Sequence, residues 1–288
     1  MKHRKIINFI STFLLMWITC VPVFASEGKS EGGGENKVPV AVDKSRYLLA
    51  TSRGGDFPYI GGFEALDILL TKLSIINPLI YKGSALEIGG GHGGNANYLK
   101  IHGLEKIQVI DIDEEAVNYA KAKYPAIDFK LLDAKKITSA FEDNSFDLIY
   151  MLGSAHAVSD PLVLLQKLKA ISKSGALVAI MDYNLKSAKE TDKIDTPSGE
   201  AIHALNTEKL TTMMGYIGLE VIETVDITQL YKNWYISVLS ILNLSKNDLL
   251  TKGYSEAEII LIVDKFNFML SMLEEGKIGG ILLIARKI

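Results

Sequence analysis

Ala85-Leu86-Glu87-Ile88-Gly89-Gly90-Gly91-His92-Gly93-Gly94 is the stretch of this 288-residue chain whose residue types and spacing are best suited to chemistry. All but one of the residues from Gly89 to Gly94 are glycine. Such a run lets the backbone turn tightly and approach a ligand with no Cβ in the way. Gln108-Val109-Ile110-Asp111-Ile112-Asp113 follows, and an acidic strand end about twenty residues after such a loop can accept the hydroxyls of a ribose. Asn95–Ile101 reads as a helix whose unsatisfied N–H groups point back at the same ligand. The unit predicts a nucleoside-bearing cofactor at the carboxyl ends of parallel strands.

Other side chains bear on a substrate. His156 could orient it or remove a proton, because imidazole titrates near neutral pH; stabilising its own loop is the competing reading. His92, among the glycines, reads as shaping that loop. Tyr47, Tyr59, Tyr183, Trp234 and Tyr235 could form an aromatic wall around a cationic amine, with ordinary core packing as the alternative for each. Asp192, Asp195 and the lysines near them read as a solvated loop, and no His/Asp grouping has the spacing of a metal site. The one cysteine, Cys20, leaves no disulfide within a single chain and no thiol in the body of the protein.

These residues need a scaffold, and the pattern from Gly83 onward supplies one by alternating strand with helix. Ser84–Ile88, Lys106–Asp111, Asp128–Leu132, Phe146–Leu152 and Ala176–Asp182 read as five strands. Asp113 caps one helix and Glu114-Glu115 suit its first turn; Tyr124-Pro125 ends it. Asp160-Pro161 opens another helix, running to Ile171. Leu219–Val225 and Gly280–Ala285 read as two more strands, with helices Leu230–Leu244 and Ser255–Glu275 between them. Ser255 with Glu258 makes a capping box. The last helix is apolar around most of its circumference, which suits a buried helix, a substrate lid or a subunit contact alike. The predicted fold is a doubly wound, mostly parallel α/β sheet of seven strands, the last antiparallel, with a C-terminal helical insertion at 229–276.

The N-terminus has a different character. Lys2, His3, Arg4 and Lys5 precede an apolar run from Ile6 to Phe24, and Val23-Phe24-Ala25 offers small residues where a signal peptidase cuts. Residues 1–25 are therefore expected to be a signal peptide, making the mature chain exported; left uncleaved, they would anchor it to a membrane. Residues 26–45, opening with a Gly/Glu/Ser-rich stretch, read as a flexible linker. Formal net charge is −3, with no basic run outside the first residues, which argues against nucleic acid as a partner.

The bare fingerprint Gly89-x-Gly91-x-x-Gly94 fits NAD as well as S-adenosylmethionine. The longer stretch Ala85–Leu99 resembles the first motif of class I S-adenosylmethionine-dependent methyltransferases, closest to the glycine, sarcosine and dimethylglycine methylating group. Val109-Ile110-Asp111-Ile112, Leu132-Asp133-Ala134, Phe141–Asp147 and Lys173–Val178 resemble later segments of that family, and the likeness covers Tyr47 to the C-terminus, so the domain is placed at 46–288. The resemblance implies methyl transfer to a small-molecule acceptor, most simply an amine nitrogen. It implies that Gly89, Gly91 and Gly93 approach the cofactor, that Asp111 holds its ribose, and that Ile112, Asp133, Ala134 and Leu152 border its adenine and sulfur. It places Glu87, where the family usually has aspartate, toward the cofactor's amino end through a water. It puts His156 in a loop beside the methyl group, as the candidate catalytic residue. Gly54-Gly55-Asp56, Tyr47 and Tyr59 echo an arm that closes over substrate. A non-catalytic nucleoside-binding protein and a nicotinamide oxidoreductase stay open as alternatives, as does an oligomer.

Overall fold

The computed structural model describes residues 60–158, 160–186, 193–199 and 201–288. The expected leader and linker, Tyr47, Tyr59 and the arm glycines Gly54 and Gly55 lie outside them.

The elements, in order, are α1 (Gly62–Ile76), β1 (Ser84–Ile88), α2 (Gly94–Ile101), β2 (Lys106–Asp111), α3 (Glu114–Lys123), β3 (Asp128–Leu131), the single-turn α4 (Ile137–Ala140), β4 (Phe146–Leu152), α5 (Pro161–Ile171) and β5 (Ser172–Leu185). Then come β6 (Lys193–Asp195), β7 (Ala201–His203), α6 (Thr207–Tyr216), β8 (Leu219–Asp226), α7 (Thr228–Leu244), α8 (Lys246–Thr251), α9 (Glu256–Glu274) and β9 (Ile278–Lys287). Seven strands form one sheet in the order β3-β2-β1-β4-β5-β9-β8, with β9 antiparallel to both neighbours and the β1 to β5 pairings parallel. The chain leaves β1 toward β3, then returns to build β4 and β5 on the other side. The crevice where the direction reverses, between β1 and β4, is where such sheets bind ligands.

Alternation along the strands feeds two cores. Leu148, Tyr150 and Leu152 of β4 face one layer with α1, α2, α7 and α9, whereas Ile149 and Met151 face the other with α5 and α6. Side chains in a strand point to opposite faces at each step, so a strand buried on both sides must be apolar throughout, as Phe146–Leu152 nearly is.

Several local signals act as expected. The Asp113 side chain accepts the Ala116 N–H at the start of α3, and Asp160 accepts from Val163 at the start of α5, with Pro161 beside it. The Ser255/Glu258 capping box is formed. Other features depart from expectation. β5 starts at Ser172 and runs on through Leu185, because β9 pairs with it as far as Leu185. The hairpin β6–β7 and helices α1, α6 and α8 have no counterpart in the sequence reading. α9 buries one stripe, Ile259, Ile262, Phe266, Met269 and Leu273, at the alternating three- and four-residue spacing of a single helix face. Ile260 is exposed, so the consecutive apolar residues do not share a burial. Among the described residues no helix is long and apolar enough to cross a membrane.

Candidate active site

The loop after β1 is locked from below and open above. The N–H groups of Gly89 and Gly90 donate to the Ile110 carbonyl at 2.8 and 3.2 Å. A Cβ at Gly90 would sit 2.1 Å from Val109 Cγ1, so the loop presses on β2 as only glycine allows. Gly91 has φ of 52°, and the space its Cβ would occupy holds no atom within 4 Å. That open side faces a cavity of about 580 Å³, within the range of small-molecule sites. Gly89 and Gly91 line this cavity; Gly93 is not among the lining residues, and its Cα packs against Phe129.

Asp111 ends β2 at the cavity edge, 6% exposed. Its Oδ2 accepts the Gly91 N–H at 2.7 Å and its Oδ1 the Asp113 N–H at 2.9 Å. A carboxylate has about four acceptor positions, so two backbone bonds fix it and leave room for two more donors. Ile112, Asp133, Ala134 and Leu152 line the same cavity. Ile112 is 72% exposed, as an apolar rim residue would be. Asp133 accepts the Lys135 N–H at 2.8 Å.

Glu87 sits under the loop, fully buried and outside the cavity lining. The Tyr150 hydroxyl donates to its Oε2 at 3.3 Å. Burial drives its pKa from 4.5 to about 8, against the lowering influence of Tyr150 and Asn95 and with a further push from the charge of Asp111. The side chain is then mostly neutral at pH 7. Asn95, in the first turn of α2, lines the cavity, and its Oδ1 is buried with no hydrogen-bond partner in the structure. An orphaned buried acceptor costs free energy, and a ligand donor would relieve it. The sequence reading assigned Asn95 no such task; its position just after the glycine loop was the available signal.

The other end of the cavity comes from β4, β5, α7 and α9. His156 follows β4 and lines the cavity. Its Nδ1 lies 2.9 Å from Oδ1 of Asp182, and its backbone N–H donates to Oδ2 at 3.0 Å. Asp182 is fully buried near the C-terminal end of β5 and also accepts the Tyr183 N–H at 2.7 Å. A carboxylate facing Nδ1 assigns the ring proton to that nitrogen and leaves Nε2 as the lone-pair nitrogen. Asp182 was read in the sequence only as a strand terminus; an acid closing the apolar run Ala176–Met181 was the signal.

Tyr183, Trp234 and Tyr235 all line the cavity, together with Phe266. They are buried as well, so core packing and cavity wall are one role here. The Tyr183 and Tyr235 hydroxyls are hydrogen-bonded to each other, and burial beside Tyr235 holds the Tyr183 phenol well above its usual pKa. Edge-to-face contacts link Trp234 to Tyr235 at 5.1 Å and Tyr235 to Phe266 at 5.5 Å, the geometry aromatic quadrupoles favour. Phe266 comes from the long helix whose partner the sequence left open. Among the described residues no group of three or more His, Cys, Asp or Glu could hold a metal.

A family model described as a methyltransferase domain matches residues 63–224. A protein of Galdieria sulphuraria, titled as a sarcosine dimethylglycine methyltransferase, has a similar structure: TM-score 0.74, 16% identity, covering 85% of this chain and 98% of that one. Haemonchus contortus phosphoethanolamine N-methyltransferase 2 in complex with S-adenosyl-L-methionine gives 0.72 at 19% identity, covering 85% of this chain and 57% of that one. At such identities the likeness is one of fold. A curated Mycobacterium ulcerans protein named as a phthiotriol/phenolphthiotriol dimycocerosates methyltransferase is 29% identical over 100 residues, 34% of this chain and 38% of that protein. The chain spans less than half the length of the curated relatives it matches.

Proposed function

The chain belongs to the methyltransferase-domain family, and from that premise we propose that it transfers the methyl group of S-adenosylmethionine to a small-molecule acceptor, with His156 beside the reacting atoms. The observation that carries this reading is the open face of Gly91 over one cavity, with the Asp111 carboxylate at its edge and the His156–Asp182 pair farther round its wall.

The residues fit the cofactor. Gly91 leaves room for it, Asp111 has acceptor positions for two ribose hydroxyls, and Asn95 Oδ1 offers an acceptor to its amino end. Ile112 and Leu152 provide apolar cover, and Asp133 with Ala134 borders the base. When bound, the cofactor supplies an electrophilic methyl on a sulfonium. The protein then has to align the acceptor, which can contribute about 7–11 kcal/mol in favourable cases, to keep water out, and to receive any proton the acceptor loses. His156 is positioned for the last task. Glu87, neutral under the loop, keeps a second negative charge away from Asp111.

An amine nitrogen as acceptor draws support from the N-methyltransferase neighbour and from the wall of Tyr183, Trp234 and Tyr235, which could face a cation. Tyr47 and Tyr59, from the arm, belong to the same proposal. Export after cleavage at Ala25, or anchoring by the retained segment, is part of it too, and intact mass of the natural protein separates the two. Calorimetry with S-adenosylmethionine, its demethylated product and NAD tests the core of the reading. Tight binding of the first two and none of NAD is expected; NAD binding alone overturns it.

A further inference from the structure

We propose that the acceptor atom is a hydroxyl oxygen, alcoholic or phenolic, carried on an uncharged apolar body, with His156 as its base and Asp182 as the residue that positions His156. This rests on the methyl-transfer reading above and narrows it.

Three observations converge. The first is the proton relay already built. Asp182 holds both the His156 backbone N–H and Nδ1, at 3.0 and 2.9 Å, from full burial. That fixes the tautomer and turns Nε2 outward as the acceptor. A neutral hydroxyl is a poor nucleophile until its proton is taken, so a fixed base has work to do; an unprotonated amine attacks through a lone pair it already has.

The second is the distribution of charge. The carboxylates that line the cavity are Asp111, Asp133 and Asp160, from the ends of β2 and β3 and the cap of α5. Among the described residues, β5, α7 and α9 add none to the lining, and α9 adds a lysine, Lys265. Simple amines are mostly protonated at neutral pH. An ammonium would meet a sulfonium and Lys265 in an apolar enclosure with no carboxylate on those elements to match it, which disfavours its entry.

The third is the wall itself. Trp234, Tyr235 and Phe266 pack edge to face, and the Tyr183 and Tyr235 hydroxyls satisfy each other. Ile60 and Ile202 add aliphatic surface. Such a wall suits an apolar body.

In the step this implies, the acceptor O–H gives its proton to His156 Nε2 as the oxygen forms a bond to the methyl carbon of the sulfonium donor. The S–C bond breaks with its electron pair kept on sulfur, leaving a neutral thioether. The imidazolium faces Asp182 until the proton passes to water.

The test uses the full chain and matched probes: 4-alkylphenols and benzyl alcohols against benzylamines and sarcosine. Binding is followed by calorimetry in the presence of the demethylated cofactor, and transfer by labelled methyl. The expectation is that the hydroxyl probes bind and are methylated while the amines do neither. His156→Ala and His156→Gln should lose 100-fold or more in kcat on weakly acidic phenols. They should keep most of it on electron-poor phenols already ionised at the assay pH, with cofactor affinity and circular dichroism unchanged. Asp182→Asn should lower kcat on the weakly acidic phenols more than it raises KM. Preference for the amines, or equal loss in the His156 variants on ionised and un-ionised phenols, overturns the hydroxyl assignment and leaves methyl transfer standing. Failure to bind S-adenosylmethionine at all overturns the reading beneath it.

Discussion

Glu87→Gln is a sharp perturbation because it changes one proton and little shape. Glu87 is fully buried, takes a hydrogen bond from Tyr150, and faces Asn95 and the charge of Asp111 across the loop. Its pKa is 4.5 in a solvated chain and about 8 in the fold. The native state therefore binds this proton more tightly than the unfolded state does, and stability must fall as pH rises through that window. The stabilising proton is fully in place below about pH 4.5 and is lost as pH passes 8. At about 1.4 kcal/mol per pH unit, the wild-type protein loses on the order of 5 kcal/mol from this group alone by pH 9. Glutamine has no proton to lose. Urea denaturation followed by circular dichroism, from pH 5 to 9 without cofactor, should give nearly equal stabilities at the acid end. The variant should gain steadily up to about pH 8, and the difference should level off above it. Two profiles that run parallel across the range would show that Glu87 does not titrate in this window and that its burial is relieved by something else.

Other outcomes follow from single contacts. Asp111→Ala should weaken S-adenosylmethionine binding tenfold or more, since two charge-assisted hydrogen bonds exceed that threshold; unchanged affinity by calorimetry removes Asp111 from the ribose. Gly90→Ala puts a Cβ 2.1 Å from Val109 Cγ1, and such overpacking should cost about 1–3 kcal/mol in thermal or urea melts; an unaltered melt would mean that β2 yields. Ser255→Ala breaks the capping box of α9 and should cost about 1 kcal/mol without touching cofactor affinity.

The cofactor half of the site and the order of its strands were legible in the chain because they depend on short-range rules. Gly89 to Gly94 must turn; an apolar run such as Phe146–Leu152 must lie between two layers; Asp113, Asp160 and Ser255 cap helices through their own neighbours. What the resemblance carried for Ile112, Asp133 and Leu152 agrees in place, since all three meet at one cavity. The acceptor half was not legible, because its parts come from distant elements. His156 and Asp182 are separated by 26 residues and meet only because β4 and β5 pair. Trp234, Tyr235 and Phe266 carry the same apolar signal as any core residue, and only the packing of α7 and α9 turns that signal into a wall. Glu87 shows the limit most plainly. Its identity was read as a reach toward the cofactor, but the depth at which the fold buries it decides whether it carries a charge at all.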